Sequence, residues 1–199
     1  MYGVLRVYDN AMGLVDALLD RQDDVKSVLT AINGFQQWGM FRTATGGFTF
    51  TQCETAEACA ESVTVAANWL KQNFADRNWP APTVYQGDII LSASAGKPVA
   101  TPPGRIFIFG EPGPPGGARR MDEIREVAAS VPGYRSYTIM RTATGSVHGA
   151  VADDVASIDA IRDRLADWVK SNYPDFSRAA PQTIDGQAVA RITAARVTA

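Results

Sequence analysis

The amino-acid sequence predicts an α+β protein built from two tandem βαββαβ repeats. Three observations predict it. The pentapeptide Arg42-Thr43-Ala44-Thr45-Gly46 returns letter for letter as Arg141-Thr142-Ala143-Thr144-Gly145. The same offset of 99 residues places Gly34 on Gly133, Trp69 on Trp168, Lys71 on Lys170, Asn73 on Asn172, Asp76 on Asp175 and Gly87 on Gly186 without a gap. Such self-similarity marks one unit written twice. Within each copy the apolar spacing switches between alternation and three- and four-residue steps, in the order strand, helix, strand, strand, helix, strand.

In the first copy, Val4 to Tyr8 is a short apolar run and reads as a strand. Asp9-Asn10 breaks it and offers a helix start. Leu14, Leu18, Val25, Leu29 and Ile32 recur at helical steps, which predicts one helix with one apolar face. Asn33-Gly34 ends that helix, because both residues tolerate the left-handed conformation found there. Phe35 to Thr43 and Phe48 to Cys53 read as a hairpin turned at Ala44-Thr45-Gly46-Gly47. Thr55 is the expected N-cap of a second helix whose stripe is Cys59, Val63, Ala66, Leu70 and Phe74. The prolines at 80 and 82 make Asn78 to Pro82 a loop, and Val84 to Leu91 reads as the last strand, with Gly87 marking a bulge.

Ser92 to Gly104 is small, Pro-bearing and uncharged apart from Lys97. The expected division is a first repeat over 1–93, a linker over 94–104 and a second repeat over 105–199. In the second copy the strands are expected at Arg105 to Phe109, Tyr134 to Thr142, Ser146 to Ala152 and Ile184 to Ile192. Met121, Ile124 and Val127 continue the first helix. A Gly/Pro loop from Gly110 to Gly117 replaces its opening turns and reads as a mobile connection or lid. Val155, Ile158, Leu165, Val169 and Tyr173 mark the second helix. Right-handed crossovers turn each repeat into a four-stranded antiparallel sheet with both helices on one face. The bare face needs a cover, and packing the two sheets face to face as an internal pseudo-dimer would supply it.

Hydrophobic content of 46% with 20% charged residues is ordinary globular composition. A net charge of −2, with no basic run, argues against nucleic acid and anionic membranes as partners. No apolar run approaches the roughly 20 residues that span a bilayer. The N-terminal Met1-Tyr2-Gly3-Val4-Leu5-Arg6 lacks the layout of a signal peptide. Cys53 and Cys59 have no counterparts in the second copy. A structural disulfide is therefore not expected, and a cytoplasmic location fits.

Gly34-Phe35, Arg42-Thr43 with Gly46-Gly47, and Ala67-Asn68-Trp69-Leu70-Lys71 are mirrored by Gly133-Tyr134, Arg141-Thr142 with Gly145, and Trp168-Val169-Lys170. On these residues the chain resembles the dimeric α+β barrel (ferredoxin-like) superfamily. The nearest branches are the antibiotic-biosynthesis-monooxygenase-like and stress-responsive ones. The likeness covers nearly the whole chain outside the linker. It implies two ferredoxin-like repeats forming an intramolecular dimeric α+β barrel. Members of that superfamily include cofactor-free oxygenases, haem-degrading enzymes, isomerases, lactone-forming enzymes and proteins without known activity, so the fold does not select the chemistry.

His148, the only histidine, lies on the third strand of the second copy, where the first copy has Thr49. It is a candidate acid or base near neutral pH, or a strand residue meeting solvent or a backbone carbonyl. The superfamily's haem degraders use a histidine ligand from a helix. No helix here carries one, so haem is not expected, and no carboxylate cluster has metal-ligand spacing. No cofactor or metal is expected. Arg42 and Arg141 end equivalent strands and would either clamp an anionic oxygen or tie down the hairpin. Trp38, Phe41, Tyr134 and Tyr137 are candidates to line an apolar pocket, whereas Trp69 and Trp168, present in both copies, read as core. The Gly110–Gly117 loop lacks the Gly-Lys-Ser/Thr ending and the N–H donors of a phosphate loop.

The expected catalytic group is therefore His148, Arg141 and Tyr137, and the expected ligand-binding group is Trp38, Phe41, Arg42 and Tyr134. The leading functional expectation is binding of a small apolar or aromatic molecule between sheet and helices. Two alternatives stay open. One is a cofactor-independent monooxygenase acting on an activated aromatic substrate. The other is a structural or assembly role without catalysis. Further self-association of two such chains also stays open.

Overall fold

Strands form where the apolar alternation predicts them, and helices where the three- and four-residue steps do. The computed structural model describes residues 1–95 and 100–194. The first repeat contains β1 (Tyr2–Tyr8), α1 (Leu14–Asp20), α2 (Gln22–Thr30), β2 (Phe35–Arg42), β3 (Gly47–Cys53), α3 (Ala56–Asn73) and β4 (Thr83–Ser94). The second contains β5 (Pro103–Phe109), α4 (Met121–Ala129), β6 (Tyr134–Arg141), β7 (Ser146–Ala152), α5 (Val155–Asn172) and β8 (Gln182–Thr193).

Two compact units emerge, and their boundaries fall inside strands. One is Met1–Gly87 with the stretch from Ala188; the other is Asp88–Gln187. The last strand of each repeat thus begins in one unit and ends in the other. Its length explains this: β4 and β8 have 12 residues each, against seven or eight in the other strands. At about 3.3 Å per residue such a strand is roughly 40 Å long. In the first unit β1, β3 and β2 run side by side, with the end of β8 beside β2; Ala194 N donates to Gln36 O at 2.9 Å. In the second unit the order is β8-β5-β7-β6-β4. Residues 96–99 of the expected linker lie outside the described residues.

The expected single helix from Leu14 to Ile32 is interrupted at Arg21, whose backbone (φ −117°, ψ 29°) leaves the helical region between α1 and α2. Arg120 repeats this conformation (φ −116°, ψ 29°) between a 3-10 turn over Gly117–Arg120 and α4. Both side chains fold back onto the long helix of their own unit. Arg21 bonds Asp24 and Asn73 and lies 5.7 Å above the Trp69 ring; Arg120 bonds Glu123 and lies 4.9 Å above Trp168. The expected bulge at Gly87 is displaced to Ile89/Leu91, where β4 pairs with β6.

The shared pentapeptide has a steric cause. Thr43 and Thr142 each accept a hydrogen bond from the glycine N–H three residues on, at 3.1 and 3.0 Å. A Cβ on Gly46 would stand 2.1 Å from the carbonyl oxygen of Tyr8, and one on Gly145 would stand 2.0 Å from that of Phe109. Only glycine lets the hairpin tip approach the end of the first strand this closely. Thr55 caps α3, accepting from Ala58 N at 3.2 Å, and Asp154 caps α5 in the same way.

Each unit has its own core. Val4, Tyr8, Trp38, Met40 and Cys53 on the first sheet pack with Leu14, Leu18, Val25, Leu29 and Cys59 from its helices. Phe107, Tyr137, Ile139 and Ala150 pack with Ile124, Ala128, Ile158 and Ile161 in the second.

Candidate functional site

The first unit holds a cavity of about 40 Å³ between its sheet and helices. Its floor comes from the sheet: Arg6 and Tyr8 on β1, Trp38 on β2 and Thr49 on β3. These four are buried, at 3 to 6% exposure. Its walls and partly open mouth come from helices, with Leu18, Val25, Val28 and Leu29 on one side and Ala66, Trp69 and Leu70 on the other. The volume holds a few waters or a small chemical group, and anything larger reaches out through the mouth.

Period-two alternation places Arg6 on the helix-covered face of β1, between Val4 and Tyr8, directly opposite Thr49 on β3. Arg6 Nη1 donates to Thr51 Oγ1 at 2.9 Å, and Nη2 donates to Ser62 Oγ at 2.8 Å. No carboxylate among the described residues pairs with it. Its Nε–H has no acceptor, and the Thr49 hydroxyl has no partner. Burial lowers the Arg6 pKa, while Tyr8, Cys59 and Cys53, the ionisable groups beside it, act in the opposite direction. The guanidinium remains a cation at any ordinary pH. Arg6 is not among the expected site residues. The available signal was an arginine in the middle of an otherwise apolar five-residue strand.

The second unit carries different chemistry on the equivalent positions. Trp38 corresponds to Tyr137, Thr49 to His148, and Arg6, through strand register, to Phe107. The Tyr137 oxygen lies 2.8 Å from His148 Nδ1, and Ser146 Oγ lies 3.0 Å from His148 Nε2. The two expected catalytic residues Tyr137 and His148 are thus brought together, with Ser146 as an unforeseen third member. The Phe109 ring lies 4.8 Å from the imidazole, and the Arg178 guanidinium sits 3.3 Å above Phe109. Arg178 Nη1 is buried without a partner. Burial, reinforced by the Arg178 charge, pushes the His148 pKa down to about 3. Burial pushes the Tyr137 phenol up, with Arg178 opposing. A neutral imidazole whose two nitrogens already hold partners is a weak base, and its geometry would allow a proton to pass between Tyr137 and Ser146.

The other expected site residues go elsewhere. Arg141 is 58% exposed and pairs with Asp88 at 3.3 Å. Arg42 is half-buried and bonds both oxygens of Asp16, at 2.6 and 3.1 Å. Both arginines end their strands at hairpin tips, where their long side chains meet solvent and a carboxylate rather than the buried face. Phe41 stacks on Phe48, centroids 4.6 Å apart. Period-two alternation sets Phe41 on the opposite face of β2 from Trp38, away from the cavity. Tyr134 is core in the second unit and donates to Ala93 O at 3.1 Å. Trp69, read as core, packs against the first-unit core and also lines the cavity. The Gly110–Gly117 loop is organised by a Gly117 N–H bond to Pro114 O at 3.0 Å. Cys53 and Cys59 are buried and free. Among the described residues no group of His, Cys, Asp or Glu is arranged to hold a metal. No helix among them is long and apolar enough to cross a membrane.

No family profile matches the chain, and no curated protein matches it in sequence. Solved structures do match in fold. A Fusobacterium nucleatum protein provisionally named a monooxygenase superposes with a TM-score of 0.67, at 11% identity, over 96% of this chain and 93% of its own. A Lactobacillus acidophilus protein, also provisionally named a monooxygenase, gives 0.67 at 8% identity over 96% and 95%. An anthrone oxidase-like protein gives 0.59 at 14% identity over 100% and 95%. What these likenesses share with the chain is the fold, of the dimeric α+β barrel type. In this chain the two helix-covered faces carry different side chains.

Proposed function

We propose that this α+β barrel protein binds a small aromatic or apolar molecule between the sheet and helices of its first unit. The observation that carries the reading is the cavity with Trp38 at its floor and Val28, Ala66, Trp69 and Leu70 toward its mouth. Apolar and aromatic walls around a few polar groups are the usual make-up of a small-molecule site. The test uses 1-naphthol as probe and tryptophan fluorescence with native mass spectrometry as readouts. Saturable one-to-one binding is expected, with loss of binding in Ala66→Phe, which fills the mouth. Absence of saturable binding, or binding that Ala66→Phe leaves intact, overturns the reading.

A second reading is cofactor-independent oxygenation of an activated aromatic substrate, and the Tyr137–His148–Ser146 chain favours it. An anthrone-type CH₂ would give up a proton and then an electron to dioxygen. One oxygen atom would end in the new carbonyl, and the other would leave in water. The relay would pass the substrate proton along, and Arg178 would stabilise the developing anion. The names of the structural neighbours agree with this chemistry. Oxygen uptake with anthrone, lost in both Tyr137→Phe and His148→Gln, is the expected result. Uptake that survives both changes removes the relay from the mechanism.

A further inference from the structure

We infer that the first-unit cavity selects an anion: a molecule with an apolar body and one terminal anionic oxygen, carboxylate or phenolate, held by Arg6 Nε and Thr49 Oγ1. This rests on the proposed ligand-binding reading and specifies its chemistry.

The charge at the cavity floor is unbalanced. A guanidinium at 3% exposure has lost nearly all its hydration. Buried charges are normally matched by an opposite charge and by hydrogen bonds on every donor. Arg6 has neither in full. Two of its nitrogens are bound by neutral hydroxyls, its Nε–H is vacant, and no carboxylate answers it. Cross-strand from it, the Thr49 hydroxyl, 4% exposed, is equally vacant. Two vacant polar groups face one another across adjacent strands at the floor of the same cavity. Native interiors rarely leave such groups unanswered, and a cluster of them marks a place where something else binds.

The cavity also orders the ligand from head to tail. The polar pair lies at the buried floor, while Val28, Ala66, Trp69 and Leu70 are half-buried toward the mouth. A head-in pose places the anionic oxygen against Arg6 and Thr49 and the apolar body against the helices. The small volume suits a single head group at the floor, not a polycyclic body enclosed whole. The duplication supplies an internal contrast. At the matching place the second unit has Phe107 and His148, so the vacant Arg6–Thr49 pair is not repeated there.

The experiment compares 1-naphthoate with its neutral amide, 1-naphthamide, on the full chain by titration calorimetry. 4-Nitrophenol against 4-nitroanisole forms a second arm, read through the phenolate absorbance. Wild type is expected to prefer the charged member by about tenfold or more, the worth of a buried charge-assisted hydrogen bond. Preference for naphthoate alone identifies a carboxylate site, and preference for nitrophenolate alone a phenolate site; both bear the inference out. Arg6→Met is expected to bring acid and amide within about twofold of each other. Thr49→Val, a near-isosteric change, is expected to weaken the preference partway, and it carries the test if Arg6→Met does not fold. Equal binding of charged and neutral members to wild type overturns the anion site while leaving the cavity reading intact. A preference that survives both substitutions also overturns it. Binding of no probe at all removes both readings together.

Discussion

The Tyr137 phenol oxygen and His148 Nδ1 stand 2.8 Å apart, joined across neighbouring strands β6 and β7. Because the other ring nitrogen meets Ser146, the imidazole is fully engaged while neutral. A proton added to it would turn both ring nitrogens into donors inside a site that already faces the Arg178 cation.

This sets a pH dependence of stability. The His148 pKa falls from 6.5 to about 3 on folding, so between these values the unfolded chain binds the proton that the folded one refuses. Stability from this group is complete above about pH 6.5 and is lost progressively as pH falls toward 3. Urea midpoints of wild type and His148→Gln at about pH 7 and about pH 4.5 measure it. Wild type is expected to lose more stability than the variant on acidification. Parallel losses would show that folded His148 titrates normally.

The Arg178 charge holds down both neighbouring groups, so Arg178→Met is expected to raise the His148 pKa and raise that of Tyr137 further. Since the chain has one histidine, its ring proton resonances report the titration without assignment. An unchanged histidine titration would mean that Arg178 is too well screened to act on the relay.

Gly46→Ala and Gly145→Ala are each expected to cost about 2–4 kcal/mol, because the new methyl would collide with backbone rather than with a movable side chain. Gly110→Ala, with nothing within 4 Å of the added carbon, is the control and should stay within about 0.5 kcal/mol. Denaturant unfolding of the three variants distinguishes steric necessity from mere repetition.

Arg42→Ala and Arg141→Ala are expected to change stability by no more than about 1 kcal/mol each, since both ion pairs are exposed and screened. Naphthoate binding should stay within about twofold of wild type in both, in contrast to Arg6→Met. A tenfold loss of binding in Arg141→Ala would return that residue to the site.

Repetition made the two arginines at 42 and 141 conspicuous, yet repetition reported the hairpin. Thr43 and Thr142 bond the turn, and Gly46 and Gly145 admit a carbonyl. The arginines only end the strands that the turn joins. What distinguishes the two units is where the copies differ: Thr49 against His148, Trp38 against Tyr137, and Arg6 against Phe107. Two of those contrasts were legible at the 99-residue offset. The third was not, because the chain segment between the first strand and the first helix differs between copies and shifts the register.

By itself the sequence determined the order of elements, the twofold repeat, the capping threonine at 55 and the glycines at the turns, all of which follow from local sterics and short-range periodicity. Only the tertiary structure decided that Arg6 and Thr49 meet opposite one another in a cavity that Trp69 also lines. It also decided that Arg178 lies over Phe109 with its charge acting on His148, and that β4 and β8 each run from one unit into the other. These depend on which strands pair and which helix covers which face, and the free energy of burying a charge or leaving a donor vacant is set by that surrounding packing rather than by any neighbouring residue in the chain.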